Sequence, residues 1–527
     1  MQYSLSKILI KMKIKPYLKQ VRRLSQLICL VVFLFLFRHT DYTGNDTIPY
    51  AVNILFRLDP LVLATITLAQ KTFVTLLWPS FIIIGLTLLF GRCFCSWICP
   101  LGTLIDGFGH FIKPGKSNFS LPYLKYIILI IVLISSGFGV QLLGFVDPFS
   151  LLVRGMVFSI DPIINYLVSL VFDSVYKMGP AALSDYTEPV YEWLKIFVLP
   201  FKQSFFYLSF LSFFLLVFIF IMEFFGKRFW CKNLCPLGGL LALISRVSVF
   251  KRVPIRSCKN CELCETKCRM DAFDKDHKFE FEECNLCMDC LEFCPDQITS
   301  FKFAIQKNNT QININRRQMI SAGLIGLALP VLSRTNAISK TADDDLIRPP
   351  GALDETLFLA SCVRCGECMK VCINNALQPL FFEKSMEGMF TPKLVPRLGY
   401  CEFNCTLCTQ VCPTGALSRL NVEQKHAFVI GKAYFDTNKC LVYAQKKSCI
   451  VCEEHCPTHD KAIKFNEIKT RDIQGNLLVL KQPYVKEELC IGCGICEHIC
   501  PVQGSSAIRV VGKDNKVPSN QYKSGYE

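Results

Sequence analysis

Cysteines recur along this chain at relative positions 0, 3, 6 and 10, and proline often follows. Six quartets can be read directly. They are Cys258, Cys261, Cys264 and Cys268; Cys284, Cys287, Cys290 and Cys294; Cys362, Cys365, Cys368 and Cys372; Cys401, Cys405, Cys408 and Cys412; Cys440, Cys449, Cys452 and Cys456; and Cys490, Cys493, Cys496 and Cys500. Together they use 24 of the 30 cysteines. Thirty cysteines in an exported chain can mean a disulfide framework, but this repeat does not read as one. Four thiols on so tight a loop converge on one small inorganic core, as iron–sulfur clusters require. Structural zinc sites also use four cysteines, but usually as two C-x2-C knuckles far apart. The spacing therefore predicts six 4Fe–4S clusters.

The first two quartets lie 26 residues apart, the separation of a compact two-cluster ferredoxin. In that fold each fourth cysteine ligates the other cluster. Cys258, Cys261 and Cys264 are thus expected to take Cys294, and Cys284, Cys287 and Cys290 to take Cys268. The fourth and fifth quartets stretch their first gap to three and eight residues. The tight C-x2-C core survives in both. A closed cubane exchanges one electron with little structural change, and several in one chain make a relay. The expected role is an electron-transfer component rather than a stand-alone enzyme, with no catalytic residue.

Apolar residues make up 51% of the chain, and they crowd its first half. Runs at about 24–38, 73–90, 124–145 and 204–225 predict four membrane spans, the first marginal in length. Basic residues cluster at one end of each run, as in Gly91-Arg92 and Gly226-Lys227-Arg228. With a cytoplasmic N-terminus these flanks all fall inside, and residues 39–72 and 146–203 face outward. This clustering accounts for the net charge of +15 without nucleic-acid binding. The moderately apolar stretch 150–172 reads as an interfacial helix or a re-entrant segment. The basic residues before position 24 precede an anchor rather than a cleaved signal, because further spans follow.

A shorter apolar stretch runs from Met319 to Leu332, directly after Arg316-Arg317. Twin arginine, an apolar segment and then Thr335-Asn336-Ala337 resemble a twin-arginine export signal. In mid-chain it is expected to act as a translocated span. The plainer alternative is a cytoplasmic linker with a chance arginine pair.

Two C-x3-C-P motifs stand just past inward-ending spans, at Cys95/Cys99 and Cys231/Cys235. The four cysteines converge into one further redox or metal site, cycle as thiol pairs, or merely pack helix ends; the spacing leaves these readings open. Cys29 reads as an apolar filler, and Cys93 has no partner pattern. The spans contain no histidine pair for a b-type haem, and no C-x-x-C-H or nucleotide-binding loop is present. His455 and His498 sit inside cluster loops and read as surface groups or hydrogen-bond donors near them. Asp147 and Arg154 form a polar cluster that suits a quinol site, or equally a turn with a snorkelling arginine.

With these motifs in hand, residues about 20–300 resemble NapH, a membrane subunit of periplasmic nitrate reductase systems, and the membrane cores of NosR and CcoG proteins. Residues about 312–510 are similar to NapG and MauM proteins; Arg316-Arg317, Arg348-Pro349-Pro350-Gly351-Ala352 and the four later quartets carry the likeness. The chain looks like a NapH–NapG fusion. The resemblance implies an electron path from membrane quinol to a periplasmic reductase or cytochrome c acceptor, or a quinol dehydrogenase subunit. The CcoG likeness implies an alternative role in metalloenzyme assembly. The resemblance also implies that the first and last of the four later motifs share a cluster, so that Cys362, Cys365 and Cys368 take Cys500, while Cys401, Cys405 and Cys408 take Cys456. Cys93, Ser96 and the missing proline after Cys372 depart from the family pattern. No flavin-bearing outward domain fits before the first membrane motif, which disfavours a NosR-like role.

The expected fold is an α-helical membrane domain plus α+β ferredoxin-like modules, one with two clusters and one with four. The expected domains are 1–250 in the membrane, a two-cluster ferredoxin over 251–305, the twin-arginine segment and linker over 306–340, and the four-cluster ferredoxin over 341–527. The expected location is the inner membrane, with the first ferredoxin cytoplasmic and the last domain periplasmic.

Overall fold

The computed structural model describes residues 15–50, 52–112, 121, 123–178, 181–197, 199–200, 202–254, 263–273, 279–294, 299–303, 315–334, 346–381, 386–471 and 477–514. Two compact units emerge, and neither is one continuous stretch. The first comprises Met1–Phe37, Ile54–Leu152 and Phe214–Pro330. The second comprises Arg38–Asn53, Val153–Phe213 and Val331–Glu527.

The predicted spans are helical, and the last three are shorter than their apolar runs. The first is part of a 25-residue helix, Lys15–His39. The second is a 3-10 turn, Thr75–Leu77, then Pro79 and a helix over Ser80–Phe90. Proline cannot continue a helix from within, so the run is broken there. The third stops at Gly137, where the chain turns through Phe138 and Gly139. The fourth is Ser209–Ile221, tightening to a 3-10 turn at Met222–Phe225. Among the described residues, two helices are long and apolar enough to cross a membrane, Tyr17–His39 and Pro148–Lys177. The stretch read as interfacial or re-entrant thus lies in an unbroken 30-residue helical run, with a π turn at Met156–Ile160.

Three short helices in the first unit start in the same way. Asp59, Cys99 and Cys235 are N-caps, each followed by proline at the first helical position. That position needs no N–H, and proline's fixed φ suits it. The C-P dipeptide of each membrane motif is therefore a helix start.

The ferredoxin parts are bracketed by antiparallel pairs. Strands Phe250–Pro254 and Thr299–Phe303 enclose the first two motifs. A bridge between Ala352 and Leu417 encloses the third and fourth. Strands Gly431–Phe435 and Ile508–Gly512 enclose the fifth and sixth. A long hairpin, Ile463–Arg471 with Leu477–Val485, is inserted between Cys456 and Cys490. The twin-arginine segment is a 19-residue helix, Arg316–Arg334. It packs in the first unit with Gly326 against Ile134, and Ser135 Oγ donates to the Gly326 carbonyl at 3.2 Å. Thr335-Asn336-Ala337 lie outside the described residues.

Candidate iron–sulfur sites

In the second unit three small cavities are each lined by four cysteines. One holds Cys362, Cys365, Cys368 and Cys412. The next holds Cys401, Cys405, Cys408 and Cys372. The third holds Cys490, Cys493, Cys496 and Cys456. The fourth set is Cys440, Cys449, Cys452 and Cys500. There Cys440 is a core residue with Cys449 and Cys500 packed around it, and Cys452 lies close to Cys440 and Cys449.

This pairing corrects the sharing implied by family resemblance. Cys500 closes the site of the fifth motif, not of the third, and Cys456 closes that of the sixth, not of the fourth. The reason is local closure. Each pair of neighbouring motifs is enclosed by its own strand pair or bridge, so each fourth cysteine reaches the motif beside it. The domain is two two-cluster ferredoxins in tandem. They join where Cys401 N donates to the Cys493 carbonyl at 2.9 Å, and Arg397 donates to the Cys500 and Val502 carbonyls at 3.1 and 2.7 Å. The sites therefore run in the order Cys362, Cys401, Cys490, Cys440, each named by its first ligand.

The donor sets fit a cubane. Burial, and then neighbouring thiols, push Cys368, Cys408 and Cys496 well above the ordinary thiol range. Left empty, such sets would be protonated; iron supplies the positive charge that keeps them as thiolates. A single zinc would draw four thiolates to within about 4 Å of one another. Among the described residues no group of three or more His, Cys, Asp or Glu is placed to hold one metal ion.

In the first unit Cys284 lies beside Cys287, Cys290 and Cys268, the predicted set. Cys258, Cys261 and Pro295 lie outside the described residues, so the partner site is seen only through Cys264 and Cys294. This ferredoxin is tied down by buried charge. Glu283, just before Cys284, accepts from Tyr126 Oη at 2.9 Å and pairs with Arg92 and Lys125. Arg22 pairs with Asp289 at 3.2 Å and donates to the Cys287 carbonyl.

The membrane-motif cysteines also come together. Cys235 lies near Cys231, Cys95 and Cys99, and Cys99 near Cys95 and Cys231. Sequence reasoning passed over two arginines here, Arg92 and Arg228. Their signal was available, since each stands three residues before the first cysteine of its motif. Asp147 and Arg154 have separate partners. Asp147 is fully buried near Asp59 and accepts from Ser150 N at 2.7 Å. Arg154 stacks on Phe390 and donates to the Arg364 carbonyl. His455 is exposed and His498 packs against Tyr400; neither lines a cysteine cavity.

Known families match the chain at these sites. A family described as "4Fe-4S binding domain" matches residues 72–118 and 208–254, around the two membrane motifs. A "4Fe-4S dicluster domain" matches 361–416, the first module of the tandem, and a further "4Fe-4S binding domain" matches 483–503. The methylamine utilization ferredoxin-type protein MauM of Methylorubrum extorquens is 36% identical over 211 residues, 38% of this chain and 90% of that protein. MauM of Paracoccus denitrificans is 35% identical over 198 residues, 37% of this chain and 82% of the relative. The ferredoxin-type protein NapG of Escherichia coli is 33% identical over 193 residues, 36% of this chain and 78% of the relative. No solved structure matches. Four-cysteine sites in tandem ferredoxin modules, and relatives covered over most of their length, lead to one conclusion: the chain belongs to the MauM/NapG family of ferredoxin-type iron–sulfur electron-transfer proteins.

Proposed function

We propose that this protein is a membrane-bound relay that passes electrons from quinol to a periplasmic redox enzyme. The observation that carries the reading is the composition of the two units. Of the segments expected to face outward, 39–53 and 153–203 fold with the tandem ferredoxin, whereas 54–72 and 146–152 fold with the first unit, as do the segments expected to face inward. The outward segments are bound by specific contacts. Lys370, between Cys368 and Cys372, is buried against Asp41 at 2.7 Å and Asp161 at 3.5 Å. Asn53 donates to the Val411 carbonyl, and Gln378 to the Phe205 carbonyl.

Further support comes from the apolar surface. Leu24, Leu27, Ile28, Val31 and Phe35 are exposed on one helix, and Phe210, Phe214, Phe218 and Ile221 on another. Soluble proteins rarely expose such bands; lipid would cover them. The Arg316–Arg334 helix spans about 28 Å at 1.5 Å per residue, close to the hydrocarbon thickness. It is less apolar than Tyr17–His39 and Pro148–Lys177, so its length alone supports reading it as the segment that carries the chain outward after the first ferredoxin; the first unit has the NapH-like role.

In the tandem ferredoxin the Cys362 site is the entry, because Gly366 packs on Phe158 of the outward segment. The Cys440 site is the exit, beneath the exposed loop 444–448 with Lys446 and Lys447. The clusters carry the electron; the chain holds them in order and excludes water. A reporter active only outside the cytoplasm, fused after Glu527, is expected to be active. A C-terminus labelled only from the cytoplasmic side would refute the two-sided relay.

A further inference from the structure

The two C-x3-C-P segments are copies of one another. Arg92, Cys95, Cys99, Pro100 and Gly102 correspond to Arg228, Cys231, Cys235, Pro236 and Gly238, each pair 136 positions apart. The copies interlock crosswise. Arg228 Nη1 donates to the Cys95 carbonyl at 2.9 Å, and its Nη2 lies 3.4 Å from the Gly102 carbonyl. Arg92 reaches the other copy. A Cβ on Gly238 would stand 3.0 Å from Arg92 Nη2 and 3.6 Å from Cys235 Sγ. A Cβ on Gly102 would stand 2.9 Å from the Cys95 carbonyl oxygen. Gly238 thus keeps space open beside Cys235 Sγ, and Gly102 lets its helix start pack closely on the Cys95 backbone. Each also donates its N–H to the second cysteine of its copy, at 3.5 Å to Cys99 Sγ and 3.3 Å to Cys235 Sγ.

The charges around the thiols are unequal. Arg228 is satisfied by Asp106, at 2.8 Å from Nε and 2.7 Å from Nη2. Arg92 reaches the Glu282 carbonyl and Glu283 through Nη1, but its Nε and Nη2 have no hydrogen-bond partner among the described residues, although the side chain is fully buried. Orphaned guanidinium donors are expensive to bury. Positive donors beside four neighbouring thiols call for an anion between them. A cubane held by four thiolates is such an anion. One copy supplies only two of the thiols, so neither copy can hold a cluster alone.

We propose that Cys95, Cys99, Cys231 and Cys235 jointly hold one 4Fe–4S cluster, a seventh centre, with Arg92 as the positioning residue that donates into it. The centre adjoins the first ferredoxin. Trp97, between Cys95 and Cys99, donates from Nε1 to the carbonyl of Leu286, which lies between Cys284 and Cys287, at 3.1 Å. Its electron partner is therefore the Cys284 cluster. The proposal does not depend on quinol or on which side the tandem ferredoxin lies.

Iron and acid-labile sulfide are measured on the full chain purified without oxygen. About 28 of each per chain are expected, against about 24 for six cubanes. Cys235→Ser is expected to lower both by about four while the EPR signals of the other clusters persist. Arg92→Gln is expected to keep the iron and lower the midpoint potential of one signal, because it removes a positive donor; Arg92→Lys is expected to restore part of the shift. About 24 irons, unchanged in Cys235→Ser, would overturn the proposal, and so would zinc or a disulfide at these cysteines. If Cys235→Ser does not accumulate, Arg92→Gln decides: a shift confined to one signal supports the centre, and no shift, or a shift of every signal, overturns it.

Discussion

Lys370 and Asp41 show how a single pair holds the segment 38–53 on the tandem ferredoxin. Both side chains are almost fully buried, at 3% and 6% exposure. Removing one partner strands the other as an unpaired buried charge. Lys370→Ala is expected to cost about 3 kcal/mol, while Asp41→Leu with Lys370→Met recovers most of it; thermal unfolding in detergent measures both. Asp106 gives the first unit a related dependence on pH. Burial alone would raise its carboxyl, but Arg228 and Arg269 beside it hold it well below the usual carboxylate range. A depressed folded pKa stabilises above the unfolded value, and the gain is lost as pH falls through and below that value. Acid unfolding monitored between about pH 5 and pH 2 is therefore expected to weaken the first unit, and Asp106→Asn to flatten that dependence.

Among the elements, the wiring of the tandem ferredoxin is the sharpest consequence of the fold. Cys412→Ser is expected to remove the cluster of Cys362, Cys365 and Cys368 while leaving that of Cys440, Cys449 and Cys452; Cys500→Ser is expected to do the reverse. EPR of the reduced variants distinguishes the two. Gly326→Leu would force side-chain atoms into Ile134 and is expected to cost about 1–3 kcal/mol, read as a lower melting temperature. The ligands were legible because cluster chemistry demands a fixed local spacing, and Cys268 with Cys284, Cys287 and Cys290 follows from it. The partners of Cys412 and Cys500 were not, because they depend on which strands close around which motif. Hydropathy located the apolar helices but not their ends, which Pro79 and the turn after Gly137 set. The arginine repeated three residues before each C-x3-C-P motif was legible in the sequence, but the crosswise contact of Arg228 with the Cys95 carbonyl was not.

Over the whole molecule, chain order and spatial grouping differ. Short segments between the apolar helices join ferredoxins hundreds of residues away, as Asn53 joins Val411. That grouping gives each unit its own ferredoxin part, and neither unit is a continuous stretch of chain. The decisive experiment is quinol-driven reduction of the full chain in lipid nanodiscs, followed by freeze-quench EPR. A reduced quinol is expected to yield cubane signals, and these are expected to include the clusters of the tandem ferredoxin. Complete reduction by dithionite with no reduction by quinol at any time would refute the relay.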